Sequence, residues 1–318
     1  MKVIEFLNKA TDPLISFEII PPDRGRSADL IYRIVEELMV FNPPFIDVTS
    51  HAADAKYVEQ ADGSFIRKIT RKRPGTIGLS AAIKYRFKVE TVVHLLCTGF
   101  TREETEDALV ELNYLGIENV MALRGDISDY KKSIQPDRTV NAYAVDLVSQ
   151  IRNMNQGLFL DDELEADRTD FCIGVAAYPE KHDEAPSLDA DIRYLKQKVD
   201  AGADYIVTQM IFDNRKYFQF VDKCRAAGIQ APIIPGIKLL SSRNHLSSLP
   251  RHFNASFPDD LVQNVLDAKD DAEVKEIGGA FAQKQVEELL NAKVPCIHFY
   301  VMQQAQTVMK LIQGLGIY

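Results

Sequence analysis

The segment LISFEIIPP, residues 14–22, places one carboxylate, Glu18, in the middle of an apolar run. The run is rich in β-branched residues and ends at a Pro-Pro pair, so it predicts a buried strand. Strand interiors rarely hold a lone carboxylate, because burying an unpaired charge costs free energy. Glu18 is therefore the first candidate for acid chemistry in this chain.

Polar side chains also stand at the ends of the other apolar runs. In chain order they are Thr49-Ser50-His51, His94, Arg124-Gly125-Asp126, Tyr178-Pro179-Glu180 with His182, Gln209 with Asp213, Lys238, and His298 with Tyr300 and Gln303-Gln304. Taken singly, most of them have an ordinary alternative, such as a hydrogen-bonded core histidine or a surface ion pair. Taken together, one polar group per strand end is what a ligand-binding mouth requires.

The elements that must position these groups are eight apolar, strand-like runs separated by amphipathic, helix-like segments. The runs are Leu14–Ile20, Phe45–Thr49, Val92–Cys97, Asn119–Leu123, Phe171–Ala177, Tyr205–Phe212, Ile233–Ile237 and Cys296–Met302. Alternating strands and helices predict parallel pairing, in a closed barrel or in a large open sheet. The count favours the barrel, an α/β (β/α)8 TIM barrel formed by residues 1–318 as a single domain, with its chemistry at the C-terminal face.

Helix signals fall between these runs. Helices are predicted over Ala28–Val40, Thr101–Leu115 (with a Thr101–Glu104 capping box), Asp189–Ala201, Asn214–Ala227 and Ala272–Asn291. The basic run Arg67–Arg73 is interpreted as a solvated helix face that ends at Pro74. Asp129–Arg138 and the acidic segment Asn155–Asp170 are predicted to be extra loops.

Composition excludes several classes of protein. The net charge of −9, without a large basic block, argues against a nucleic acid or an anionic membrane surface as partner. No apolar run is long enough to span a membrane, and the N-terminus lacks a signal peptide's apolar region, so we expect a cytoplasmic protein. The four cysteines form no metal-binding or redox spacing and are expected to be reduced, buried and structural.

Known catalytic motifs are absent from the sequence. No glycine fingerprint of a Rossmann dinucleotide site follows a strand, and no P-loop, nucleophile elbow or zinc-protease helix occurs. Composition and pattern therefore stop at an α/β barrel with an acid in its first strand.

The strand-end residues also form a family pattern. SFEIIPP, IDVTSHA, NVMALRGD, AAYPEKHDEA, KVDAGADYIVTQMIFD, IIPGIK and HFY resemble, in order and in context, the catalytic domain of bacterial-type methylenetetrahydrofolate reductase, from Ser16 to about residue 315. The resemblance implies a (β/α)8 barrel with non-covalent FAD at its C-terminal face. It also implies that NADH or NADPH reduces the flavin, which then reduces 5,10-methylenetetrahydrofolate to 5-methyltetrahydrofolate in the same site.

The resemblance assigns roles to individual residues. Glu18 matches the general acid that protonates folate N10, and we expect burial to raise its pKa. Asp126 matches the catalytic aspartate beside the flavin. Substrate contacts are implied for Gln209, Thr49 and His245. Flavin contacts are implied for Thr49, Ala52, His94, Arg124, Gly125, Asp126, Tyr143, Tyr178, His182, Asp191 and Lys198.

The chain departs from the family pattern at two places. Ser50 and His51 replace a frequent tyrosine-glycine pair, and residues 301–304, VMQQ, replace a threonine and an asparagine-arginine pair. Neither departure removes Glu18, Asp126 or Gln209, so activity in one-carbon metabolism and methionine biosynthesis is expected. NADH is the preferred donor by resemblance, and a homo-oligomer is expected. The alternatives are another flavin barrel, such as a proline dehydrogenase, and a non-catalytic folate- or flavin-binding homologue or subunit of a larger reductase complex.

Overall fold

Eight parallel strands close into a barrel in the computed structural model, which describes residues 1–126, 132–162, 164–302 and 305–316. The ten strands of the described chain are β1 Leu14–Ile19, β2 Phe45–Val48, β3 Asp54–Glu59, β4 Phe65–Thr70, β5 Glu90–Leu96, β6 Asn119–Leu123, β7 Cys172–Ala177, β8 Tyr205–Met210, β9 Ile233–Ile237 and β10 Cys296–Met302. The barrel order is β1-β10-β9-β8-β7-β6-β5-β2, while β3 and β4 form a separate pair. The predicted barrel and its eight strands are confirmed.

Helices surround the barrel between its strands. They are α1 Val3–Lys9, α2 Asp29–Leu38, α3 Thr76–Phe87, α4 Arg102–Tyr114, α5 Ala144–Met154, α6 Leu188–Asp200, α7 Asn214–Ala226, α8 His245–Phe253, α9 Asp259–Asp267, α10 Asp271–Asn291 and α11 Ala305–Leu315. The five predicted helices are present, and the capping box is formed by Thr101 and Glu104. No helix of the described residues is long and apolar enough to cross a membrane.

The barrel interior is packed at its N-terminal end. Phe45, Met121 and Tyr205 fill this end, and Val3 and Leu7 of α1 pack against them. Gly174 makes room for the ring of Tyr205, because a Cβ at this position would lie 2.5 Å from the ring's Cζ. With this end plugged by side chains, polar chemistry is confined to the C-terminal end of the barrel, called the mouth below.

The interpretation of Arg67–Arg73 as a helix face is wrong, because its first residues belong to β4. This strand pairs antiparallel with β3, and both lie largely exposed in the connection between β2 and α3. Asp62 and Gly63 form the turn, where Gly63 has φ +79° and Asp62 Oδ1 accepts from the Ser64 amide at 2.9 Å. An Asp-Gly pair between alternating residues favours such a hairpin over a helix.

The remaining expectations concern cysteines and loops. All four cysteines, Cys97, Cys172, Cys224 and Cys296, are buried and free, as expected. The described part of Asn155–Asp170 has no helix or strand, and Asn155 Oδ1 accepts from the Phe171 amide at 2.8 Å at its base. Of the other predicted loop, Asp129–Arg138, residues 129–131 lie outside the described residues, and residues 132–138 have no helix or strand.

Candidate active site

Charged side chains from four barrel strands meet at the mouth. Glu18 lies on β1, and its neighbours in the sheet are Asp47 of β2 and Tyr300 of β10. His94 of β5 reaches both acids, since its Nε2 lies 3.7 Å from Glu18 Oε2 and 3.3 Å from Asp47 Oδ2. With His298 of β10, these residues form what we call the acid cluster.

His298 approaches Glu18 from the other side. Its Nε2 lies 4.0 Å from Glu18 Oε2, and its Nδ1 lies 2.9 Å from Ser16 Oγ. Because alternate residues of a strand face the same side, Ser16 and Glu18 both point into the barrel. Glu18 is thus held between two imidazoles, and its side chain is only 13% exposed.

The electrostatics of the acid cluster overturn one expectation. Burial alone would raise the pKa of Glu18, but the adjacent imidazoles of His298 and His94 and the charge of Lys238 outweigh it and lower this pKa. The pKa of His94 is raised, because its bond to Asp47 and the charge of Glu18 overcome its own burial. In the ligand-free protein the cluster therefore favours a carboxylate on Glu18 and an imidazolium on His94. The expected raised pKa of Glu18 is wrong, because the sequence did not reveal its cationic neighbours.

A second group of residues lines the mouth beside β6 and β7. His182 packs edge-on against Tyr178, with ring centroids 4.7 Å apart, and its amide donates to Asp191 Oδ2 at 2.8 Å. Lys198 of α6 donates to the carbonyl of Ala176. Burial lowers the pKa of Lys198 to about 8, although the charge of Asp191 opposes this shift. We call this group, together with Arg124, Gly125, Asp126 and Tyr143, the recess.

Charges within the recess act on one another. Burial raises the pKa of Tyr178 to about 12, and the charges of Asp191 and Asp126 add to the increase. Arg124 forms a two-pronged ion pair with Glu184, in which Nη2 lies 3.0 Å from Oε1. This ion pair uses two of the five N–H donors of the guanidinium, so donors remain for a further anionic group.

At two glycines, Gly125 in the recess and Gly99 at its edge, the backbone lies close to neighbouring side chains. Gly125 has φ +86°, and a Cβ there would lie 3.3 Å from Thr98 Cβ and 3.5 Å from Leu96 Cβ. Gly99 has φ +85°, and a Cβ there would lie 2.9 Å from Ala52 Cβ. Both positions favour glycine, since an L-residue with positive φ is strained.

The remaining predicted residues lie at other points of the mouth. Thr49 follows β2, and its buried Oγ1 has no hydrogen-bond partner among the described residues. Gln209 lines a small crevice with Tyr178 and Phe253, and its Oε1 accepts from the Met210 amide at 2.9 Å. His245 begins α8. Burial lowers the pKa of this histidine, and the charge of Lys238 lowers it further. Gln303 and Gln304 lie outside the described residues.

Sequence reasoning named His298 and Lys238 among the strand-end groups but gave them no role, and it missed Ser16, Asp47 and Glu184. A signal for two of them exists in the alternation of the strands. Ser16 and Glu18 lie two residues apart, as do His298 and Tyr300, and β1 pairs Ser16 with His298. Two polar residues that lie two positions apart in an otherwise apolar strand therefore indicate which side chains face the inside of the barrel at its mouth. Asp47 lies in a fully buried strand and gives no such signal.

The fold and the two groups of residues define a (β/α)8-barrel protein with an acid–histidine centre beside a recess that contains a half-buried lysine. The family model for methylenetetrahydrofolate reductase matches residues 3–316. The chain belongs to this family.

Relatives of known name agree with this assignment. Methylenetetrahydrofolate reductase 1 of Schizosaccharomyces pombe is 32% identical over 307 residues, which cover 95% of this chain and 46% of that protein. The 5,10-methylenetetrahydrofolate reductase of Escherichia coli is 31% identical over 304 residues, with 95% and 90% covered. The chain thus spans about half the length of the yeast relative and most of the bacterial one.

A solved structure has the same fold. It is an uncharacterized protein from Clostridium thermocellum, described as binding two copies of 5-methyl-5,6,7,8-tetrahydrofolic acid. The TM-score is 0.61 at 13% identity, with 98% of this chain and 97% of that chain covered. At this identity the likeness supports the barrel fold alone.

Proposed function

We propose that this protein reduces 5,10-methylenetetrahydrofolate to 5-methyltetrahydrofolate, with NADH or NADPH as reductant and FAD bound without a covalent link at the mouth. One observation carries the proposal: in a chain of this family, Glu18 lies between His94 and His298, 3.7 and 4.0 Å away. When bound, the flavin supplies hydride transfer from the nicotinamide to the one-carbon unit of the folate.

The recess fits a flavin dinucleotide. Lys198 is a half-buried cation that donates to the carbonyl of Ala176, and among the described residues it forms no ion pair within 4.0 Å. A partly desolvated ammonium without a carboxylate partner suits a pyrophosphate, which carries the opposite charge. Gly125 has a positive φ that favours glycine and turns the backbone at the recess, and Thr49 Oγ1 is free to bond a flavin edge. The remaining proposed contacts are Ala52, His94, Arg124, Asp126, Tyr143, Tyr178, His182 and Asp191.

Glu18 is proposed to protonate N10 of the folate as its methylene bridge opens. In the free site the proton of the Glu18–His94 pair lies on His94, as the directions of both pKa shifts indicate. A ligand that fills the mouth excludes water, and separated charges then cost more than a neutral pair. The proton is therefore expected to pass from His94 Nε2 to Glu18 Oε2, which makes the carboxyl group an acid when substrate is present.

Asp126, Gln209 and His245 are proposed to serve the substrate. The carboxylate of Asp126 would stabilise the cationic iminium that forms when the ring opens. Gln209 lies beside Tyr178 of the recess, and its amide group is proposed to bind either substrate in turn. Because both substrates would occupy one face, we propose a ping-pong reaction. NADH as the preferred donor and a homo-oligomeric state stay predictions.

The experiment begins with purified protein reconstituted with FAD. We expect a yellow protein that NADH or NADPH bleaches without oxygen, and that methylenetetrahydrofolate then returns to the oxidised spectrum. Proline as reductant is the control, because a proline dehydrogenase would bleach with proline instead. A protein that fails to take up FAD, or that is bleached but not reoxidised by the folate, would contradict the proposal.

A further inference from the structure

Lys238 is a second half-buried lysine at the mouth, and none of the roles above uses it. It follows the last residue of β9, Ile237, which pairs with Phe299 of β10. Its Nζ donates to the carbonyl of Tyr300 at 3.0 Å, so the ammonium lies across the end of β10. Tyr300 itself lies opposite Glu18 where β10 pairs with β1.

The ammonium of Lys238 lacks a carboxylate partner. In the portion of the chain that the structure describes, no Asp or Glu oxygen lies within 4.0 Å of its Nζ, in contrast to the paired surface lysines such as Lys223. An ammonium has three donors, and one carbonyl satisfies one of them. Burial lowers the pKa of Lys238 to about 8, although the charge of Glu18 opposes this shift. A partly desolvated ammonium with unused donors is suited to bind an anionic ligand.

The position of Lys238 indicates which ligand it faces. Its charge helps to lower the pKa of Glu18 on one side and of His245 on the other. Both residues belong to the face of the mouth proposed above for the substrates. Lys198, the lysine proposed for the flavin, follows β7 instead and lies two strands away around the barrel. The two half-buried lysines thus lie in different parts of the mouth.

We propose that Lys238 is the anion anchor of the substrate face, where it binds a carboxylate or phosphate oxygen of the molecule that reacts beside Glu18. The inference rests on the proposed function for the identity of that molecule. Folates carry glutamyl carboxylates and nicotinamide dinucleotides carry a pyrophosphate. An ammonium group can bind either oxyanion, since both suit a compact, charged donor.

The test compares Lys238→Met, which keeps the length of the side chain without its charge, with Lys238→Arg, which keeps the charge. Lys223→Met is the matched control, because Lys223 is half-exposed and pairs with Asp189 on the outer surface. Each FAD-loaded protein is titrated at equilibrium with 5-methyltetrahydrofolate, with the corresponding pteroate that lacks glutamate, and with NAD⁺. Flavin content and circular dichroism report whether each variant is folded and loaded.

A charge-assisted hydrogen bond at a buried site predicts a loss of affinity of about ten- to a hundredfold in Lys238→Met, partly restored in Lys238→Arg. If the loss is confined to the glutamyl folate and absent for the pteroate, the anchor binds the glutamyl carboxylate. If the loss appears with NAD⁺, it binds the pyrophosphate. Both results support the proposal.

Three results would overturn it. One is unchanged affinity for all three compounds in a loaded Lys238→Met protein, and another is a loss of FAD without a loss of ligand affinity. The third is an equal loss for the folate and the pteroate with NAD⁺ binding unchanged, which would show that Lys238 acts through Glu18 rather than on an anionic group. Because binding is measured without turnover, wild-type protein that binds but does not react would contradict the proposed function alone.

Discussion

His94 Nε2 lies 3.7 Å from Glu18 Oε2, close enough that the imidazolium sets the charge of the carboxylate. The contact joins β1 to β5, which lie on either side of β2 in the closed barrel. Since each group favours the charged form of the other, the pair stores one proton beside the substrate face. This relationship underlies the first two predictions.

Glu18→Gln should separate the two halves of the reaction. Folate reduction needs a proton on N10, so we expect it to fall by about 10²- to 10⁴-fold, the usual contribution of a general acid. Flavin reduction by the nicotinamide needs no such proton and should change little. Anaerobic stopped-flow absorbance measures each half-reaction by itself.

The control for this measurement is Glu287→Gln. Glu287 is an exposed residue of α10 that accepts a hydrogen bond from Gln283 at 3.0 Å, and we expect the substitution to change the rate of neither half-reaction. Equal losses in both half-reactions of Glu18→Gln would show that Glu18 positions the flavin instead of donating a proton.

His94→Gln should raise the pKa of Glu18 in the ligand-free protein. The substitution removes a cation that favours the carboxylate, while the burial that disfavours it remains. The carbonyl stretch of the protonated acid, followed by infrared difference spectroscopy against Glu18→Gln, reports this pKa directly. His252→Gln, on an exposed part of α8, is the control. A pKa that is unchanged or lower would mean that His298 and Lys238 dominate the field at Glu18.

Lys198→Met should stabilise the ligand-free protein and weaken FAD binding. The pKa of Lys198 falls from 10.5 to about 8 on folding, so the unfolded chain binds more protons between these pH values. The free energy of unfolding of the wild-type protein therefore rises with pH between pH 8 and pH 10.5, as the cost of the charged lysine disappears. We expect the variant to be more stable at pH 7 by about 1–3 kcal/mol, with a difference that shrinks from pH 8 to 10.5.

Chemical denaturation across this pH range measures the stability, and flavin fluorescence measures the affinity for FAD. Lys196→Met, which removes an exposed ion pair with Asp200 on the same helix, should change neither by much. A less stable Lys198→Met protein with unchanged flavin affinity would assign Lys198 to the fold and not to the recess.

Gly125→Ala should destabilise the protein by about 1–2 kcal/mol, the usual cost of a left-handed conformation for an L-residue. The added Cβ also meets Thr98 and Leu96, so the affinity for FAD should fall. Gly279→Ala is the matched control, because Gly279 lies in α10 with open space around it. There we expect a gain of about 0.5–1 kcal/mol, since alanine favours a helix interior. Similar effects at both positions, measured by urea denaturation, would contradict the role given to Gly125.

Sequence patterns predicted the barrel well and the connections poorly. Strands covered on both faces must be apolar for several residues, which makes runs such as Phe45–Thr49 easy to recognise. The hairpin of β3 and β4 was missed because its exposed strands carry mixed charges that resemble a solvated helix. Its Asp62-Gly63 turn was the stronger local signal. Helices such as α3 and α5 were not predicted, although both cover the barrel.

The amino-acid order by itself determined the eight strands, the polar residue at the end of each, and the misplaced charge of Glu18. It did so because periodicity and the cost of burying a charge are local properties of the chain. Only the tertiary structure decided which charges meet. Ring closure places β10 beside β1, and so brings His298 and Lys238 to Glu18 from more than 200 residues away. Because a pKa depends on groups in space, the sequence predicted a raised value for Glu18 where its neighbours lower it.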